Sequence, residues 1–223
     1  MYGETLDLIE ICWLAIPTLF KLISTRESGA RDLALRALTV LELLEIKDNR
    51  LLLLTAKLRL FLASVYLHEK GDVEVSISTI HSELEAVEKI RDQFEDETTQ
   101  VALSYYVAFT KANSYYRHKK SEYLQSHLKK HEDNMLLNLK IDHEQILQLL
   151  KECEGLLKNL DYTYDVERCK VANLTGSILW KISKVNDSAI IDRITAAMSG
   201  FSAYKLKRLE VQSVYTYARL LLR

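Results

Sequence analysis

Apolar residues return every three or four positions along nearly the whole chain, the period of helices buried on one side. No two-residue alternation persists between turn signals, so the pattern predicts an all-α fold without a sheet. Leu6, Ile9, Trp13, Ile16, Phe20 and Ile23 mark a first helix from Glu4, bent or restarted near Ala15 because Pro17 removes an amide donor and crowds the preceding turn. A break at Ser28-Gly29 precedes a second helix through Leu33, Ala37, Val40 or Leu41, and Leu44, which ends in the polar turn Lys47-Asp48-Asn49. The third runs from about Leu51 to Lys70 on Leu54, Leu58, Phe61 and Val65. Gly71-Asp72 then turns the chain into a fourth, on Val73, Ile77, Ile80, Leu84, Val87 and Phe94.

Glu95-Asp96-Glu97 places carboxylates where a helix dipole favours them and opens a fifth helix, with Tyr105, Phe109, Ala112 and Tyr116 on one face. A separate sixth helix is expected beyond the basic turn Arg117–Lys120, through Tyr123, Leu124 and Leu128. Asp142 caps a seventh on Ile146, Leu149, Leu150, Cys153, Leu157 and Leu160, and Asn159 and Asp161 mark the next turn. Val166, Cys169, Ala172, Leu174, Leu179 and Ile182 form the stripe of an eighth helix from about Tyr164 to Lys184. A ninth covers Ala189 to Met198, Ser199-Gly200 is the last break, and Phe201 to Arg223 is a final helix. Long helices with short polar connections predict antiparallel neighbours.

One short pattern recurs. Ala63, Tyr66 and Lys70 fall on Ala112, Tyr115 and Lys119 at a constant offset of 49 residues, as stacked helical hairpins produce when each pair covers its neighbour's apolar face. Ala63 to Ile77 resembles a tetratricopeptide-type hairpin through small Ser64, aromatic Tyr66, the Gly71-Asp72 turn and small Ser76. The sequence departs from that family in three ways: Leu60 replaces the early aromatic, Lys120-Ser121 replaces the turn in the second copy, and the spacing exceeds the family's roughly 34 residues. The drift is similar to that of irregular tetratricopeptide-like solenoids in large eukaryotic assemblies, such as proteasome-lid-type subunits and the scaffolds of cohesin-loading or meiotic complexes. The resemblance implies a right-handed α-solenoid of about five antiparallel helical hairpins acting as a protein-interaction scaffold. Residues 1–223 are expected to form a single repeat domain, and the ending Leu220-Leu221-Leu222-Arg223, without a polar closing helix, fits a fragment of a longer chain or a face covered by a partner.

Composition narrows the function. Thirty Lys and Arg balance 31 Asp and Glu, giving a net charge of -1, so no global field draws the chain to nucleic acid or an anionic membrane. The three cysteines, Cys12, Cys153 and Cys169, fit reduced thiols rather than a disulfide framework. With no signal-peptide pattern and no apolar run near the roughly 20 residues of a membrane span, the chain is expected to be soluble and cytoplasmic or nuclear. Asn173-Leu174-Thr175 and Asn186-Asp187-Ser188 then carry no glycan.

Catalytic patterns are missing. His131-Glu132 and His143-Glu144 open like zinc-protease helices, but Met135 and Leu147 stand where the second histidine belongs, so no metal site is expected. No Cys-x-x-Cys, phosphate-cradling glycine loop or nucleophile elbow occurs, and neither an enzyme nor a cofactor is expected. Twelve tyrosines against five phenylalanines favour surfaces that are half buried and half presented to a partner. The candidate partner-binding residues are Tyr106, Asn113 and Arg117, spaced by seven and four on one helix face, with Tyr116 and Lys120 beside them. They would hold a peptide or helix on a concave surface with a basic rim. The alternatives are nucleic-acid binding through the tyrosine-rich basic stretch at 115–123 and, ranked below it, a helical-bundle enzyme.

Overall fold

The computed structural model describes residues 27–43, 48–68, 73–128, 143–182 and 188–221. Among these there are helices and no strands: α1 (Glu27–Leu43), α2 (Asn49–His68), α3 (Val73–Arg91), α4 (Glu97–Leu128), α5 (His143–Lys158), a 3-10 turn (Tyr162–Tyr164), α6 (Asp165–Ile182), α7 (Ser188–Ala203) and α8 (Lys207–Leu221). The predicted first helix, Pro17, the Gly71-Asp72 turn and the Asp142 cap lie outside the described residues. Two compact units make up the chain, Met1–Thr110 and Lys111–Arg223, and the division falls inside α4.

In the first unit, α2 is the middle element. Leu51, Leu54, Leu58 and Leu62 meet Ala34, Ala37, Leu38 and Leu41 of α1. The other side of α2, through Ala56 and Ala63, packs on Ile80, Leu84 and Val87 of α3, a core that Phe94 and residues Leu103 and Val107 of α4 complete. A helix used on two sides must be apolar nearly all round, which explains the leucine-dense sequence of α2. Leu41 rather than Val40 turns inward, at 7% against 37% exposure. Arg59 ties the three helices together, donating to Glu42 of α1 at 2.7 Å and to Glu83 of α3 at 2.9 Å. The polar turn starts α2 as expected, with Asp48 accepting from Arg50 N at 2.8 Å. Asp96 caps α4, and hydrogen bonds from Thr99, side chain first and backbone second, hold its carboxyl below the usual range.

Ser28 and Gly29 lie in the first turn of α1, and the chain before Glu27 lies outside the described residues. Two expectations about helix ends are corrected. The expected turn at Arg117–Lys120 is absent, because α4 runs unbroken through it. The second copy of the recurrence therefore sits inside one helix, whereas the first spans the end of α2. Lys120-Ser121 supplies neither a left-handed residue nor a strong cap, so nothing there stops the helix. Ser199-Gly200 is likewise interior to α7.

The second unit has α6 at its centre, packed against α5, α7 and α8. The expected single stripe of α6 is corrected: Val171, Leu174, Thr175, Gly176, Ser177, Ile178 and Trp180 are all buried, while Ile182 is 46% exposed. Alpha5 keeps its one-sided pattern, burying Ile146, Leu150, Cys153 and Leu157. Arg168 closes the end of α5, donating to the carbonyls of Leu157 at 2.7 Å, Leu160 at 2.6 Å and Asp161 at 3.0 Å, and pairing with Asp165. Leu157 O also accepts from Leu160 N and Asp161 O from Tyr164 N, each at 3.3 Å, so the guanidinium reinforces a turn that the backbone already closes. Asn173 of α6 accepts from the buried Ser213 hydroxyl of α8 at 2.9 Å. Lys205, at φ 57°, ends α7 in a left-handed residue, with Leu206 N donating to Phe201 O at 2.8 Å and Lys205 N to Ser202 O at 3.0 Å.

Candidate functional site

The five candidate residues all lie on α4, Tyr106 in the part that belongs to the first unit and Asn113, Tyr116, Arg117 and Lys120 in the part that belongs to the second. Tyr106 belongs to the first unit, where it is half-buried and tilted 58° against Tyr105 with ring centroids 5.0 Å apart. Tyr105 itself is fully buried and stacks on Phe109, at 5.8 Å and 24°. The two neighbouring tyrosines thus divide the work: Tyr105 is core, and Tyr106 shows part of its ring to solvent.

Asn113, Tyr116 and Arg117 belong to the second unit. Asn113 and Tyr116 are half-buried and Arg117 is exposed, while the side chain of Lys120 falls outside the described residues. Lys181 of α6 lies over the Tyr116 ring, its Nζ 4.4 Å from the centroid. At an exposed lysine this contact contributes about 0.5–1 kcal/mol. The Arg117 guanidinium has its pKa lowered, first by partial desolvation and second by the charge of Arg208 on α8. Two separate contacts thus reach this part of α4 within the second unit: Lys181 of α6 covers the Tyr116 ring, and the charge of Arg208 on α8 is felt at Arg117. Residue spacing did not reveal Lys181. Arg208 stands in a basic run with Lys205 and Lys207, far along the chain from Arg117.

This arrangement is suited to holding carboxylates or a polar helix face beside a rigid ring, and it contains no nucleophile with a base. The thiols are held protonated. Burial, then the charge of Glu152, pushes Cys153 up to about 12, and burial followed by Asp165 and Glu167 raises Cys169. Among the described residues no group of three or more His, Cys, Asp and Glu side chains is placed to hold a metal. No helix among them is long and apolar enough to cross a membrane.

Compared with protein-family models, curated proteins and solved structures, the chain matches none. The likeness to tetratricopeptide hairpins therefore rests on the residues of the first copy, and what the structure adds is coarser: an all-helical chain whose helices pack against their neighbours in series.

Proposed function

We propose that this chain is a non-catalytic protein-interaction module, part of a multi-subunit assembly in the cytoplasm or nucleus, whose partner is a peptide or helix. The helical pairs within each unit are taken to wind in the right-handed, tetratricopeptide-like sense. The observation that carries the reading is the half-buried Tyr116 ring beneath Lys181, with exposed Arg117 next to it on α4, because aromatic rings and arginines are the side chains that anchor protein interfaces. Partner contacts are assigned to Tyr106, Asn113, Tyr116, Arg117 and Lys120. A net charge of -1 favours a protein ligand with local carboxylates over a nucleic acid, which requires a broadly basic surface.

The test is affinity purification from the native cell, using the wild-type chain beside a variant carrying Tyr106→Ala, Asn113→Ala and Arg117→Ala. The wild type is expected to retain a stoichiometric protein that the helical, folded variant loses. Equal recovery by both would remove this strip from the interface, and nucleic acid recovered in place of protein would transfer the cluster to the other class of ligand.

A further inference from the structure

Alpha8 is apolar on the side that faces away from its own unit. Its inward side holds Ser213, fully buried. On the opposite side Val211 is 66% exposed, Val214 44% and Tyr215 63%, with Ala218 also exposed. Their spacing of three, four and seven makes one continuous stripe, the register in which a helix receives another helix. Solvent-facing apolar residues scattered singly need no explanation, but a stripe in helical register does.

The charges at one end of the stripe say what would cover it. Lys205, Lys207 and Arg208 are all exposed and stand at the N-terminus of α8, where the backbone dipole is already positive. Lys207 falls on the same side as the stripe, and Arg208 is close enough to Arg117 for their like charges to interact. Cations at that end work against the dipole and against each other; Glu210 in the same turn offsets one of them, and carboxylates supplied from outside relieve the rest.

We infer that the outer face of α8 docks an amphipathic helix of a partner protein, seating its apolar residues on Val211, Val214, Tyr215 and Ala218 and its carboxylates beside Lys207 and Arg208. This rests on the interaction-module reading and gives it a surface and a partner chemistry. A membrane surface offers anionic groups and apolar depth too. It is the lesser reading because, among the described side chains, the cations gather at one end of the stripe instead of flanking it on both sides, as an interfacial helix requires.

Two variants separate the terms: Val211→Ser with Val214→Ser and Tyr215→Ser, and Lys207→Glu with Arg208→Glu. All five positions are exposed, so both proteins should keep the wild-type circular dichroism and unfolding midpoint. The protein recovered with the wild-type chain is purified and its affinity for each variant is measured. Each variant is expected to bind it at least about tenfold more weakly, the scale of losing one interface anchor. The wild-type affinity should also fall as salt rises, and cross-linking should map to a partner segment with apolar helical spacing and clustered carboxylates.

Unchanged affinity in both variants, with the partner still bound, would overturn the α8 surface while leaving the module reading standing. Loss in the serine variant alone would overturn the acidic chemistry. Sedimentation of the wild type with phosphatidylserine vesicles, abolished in the serine variant, would overturn the protein ligand in favour of a membrane. Dimerisation of the purified chain, abolished in the same variant, would overturn it in favour of a second copy. A wild-type chain that recovers no protein would overturn both readings.

Discussion

Tyr105→Ala is expected to cost the first unit about 3–5 kcal/mol of stability, the loss typical of truncating a large core aromatic. Tyr106→Ala, one residue on, should cost less than half as much. Tyr105 has no exposed surface and stacks on Phe109, so truncation leaves a cavity and removes an aromatic pair together. Tyr106 already meets solvent, and removing it forfeits only part of a ring's burial and its contact with Tyr105. Tyr105→Phe separates the ring from the hydroxyl and should retain most of the stability. Urea unfolding followed by circular dichroism reads all three. Against a typical total of about 5–15 kcal/mol, the alanine variant should show a clearly lowered midpoint. Equal losses for the two alanine variants would mean that the helix phase is different and that Tyr106 is no interaction residue.

Alanine at Gly176 and Gly200 together should cost the second unit up to about 4 kcal/mol. A Cβ on Gly200 would lie 2.2 Å from Cys169 Sγ, and one on Gly176 would lie 2.7 Å from Ile194 Cγ1. The two contacts run in opposite senses along α6 and α7, so they show an antiparallel pair held close by absent side chains. Overpacking costs about 1–3 kcal/mol at each site, partly offset by roughly 1 kcal/mol that alanine gains over glycine in a helix. Gly155→Ala is the internal control: nothing lies within 4 Å of its Cβ, so the propensity gain acts alone and α5 should be stabilised. Cys169→Ala in the Gly200→Ala background should restore much of the loss, since it removes the sulfur that the new methyl meets. A double alanine variant as stable as the wild type would show that α6 and α7 are not packed this closely.

These glycines show where the sequence could be read and where it could not. One-sided helices were legible: the stripes of α3 and α5 follow their three-and-four spacing, and the acidic caps at Asp48, Asp96 and Asp161 stand where a chain start needs an acceptor. Alpha6 was not, because a central helix buries residues around its circumference and leaves no stripe for periodicity to find. Gly200 resembled a break because close helix approach and turn formation both call for the same residue. The true turn is made at Lys205, a residue with no turn signature, held left-handed by the two backbone hydrogen bonds that close α7.

The candidate site divides in the same way. The half-buried standing of Tyr106, Asn113 and Tyr116 follows from their phase on α4, which the spacing already contained. Their companions do not, since Lys181 reaches the Tyr116 ring, and the charge of Arg208 reaches Arg117, only through the packing of α6 and α8, a tertiary fact that no local pattern encodes. The sequence carries the stripe on α8 only as apolar spacing at Val211 and Val214. Only burial reveals that this side faces outward and that Ser213 faces in.

The most direct measurement of the interaction-module function is the native mass of the chain, taken at its ordinary cellular level by gentle gel filtration with quantitative mass spectrometry of the fractions. A stoichiometric protein co-eluting with the chain in one discrete larger species is the predicted result. Elution of the chain alone at the mass of its monomer, at low salt and with no protein following it, would contradict that function.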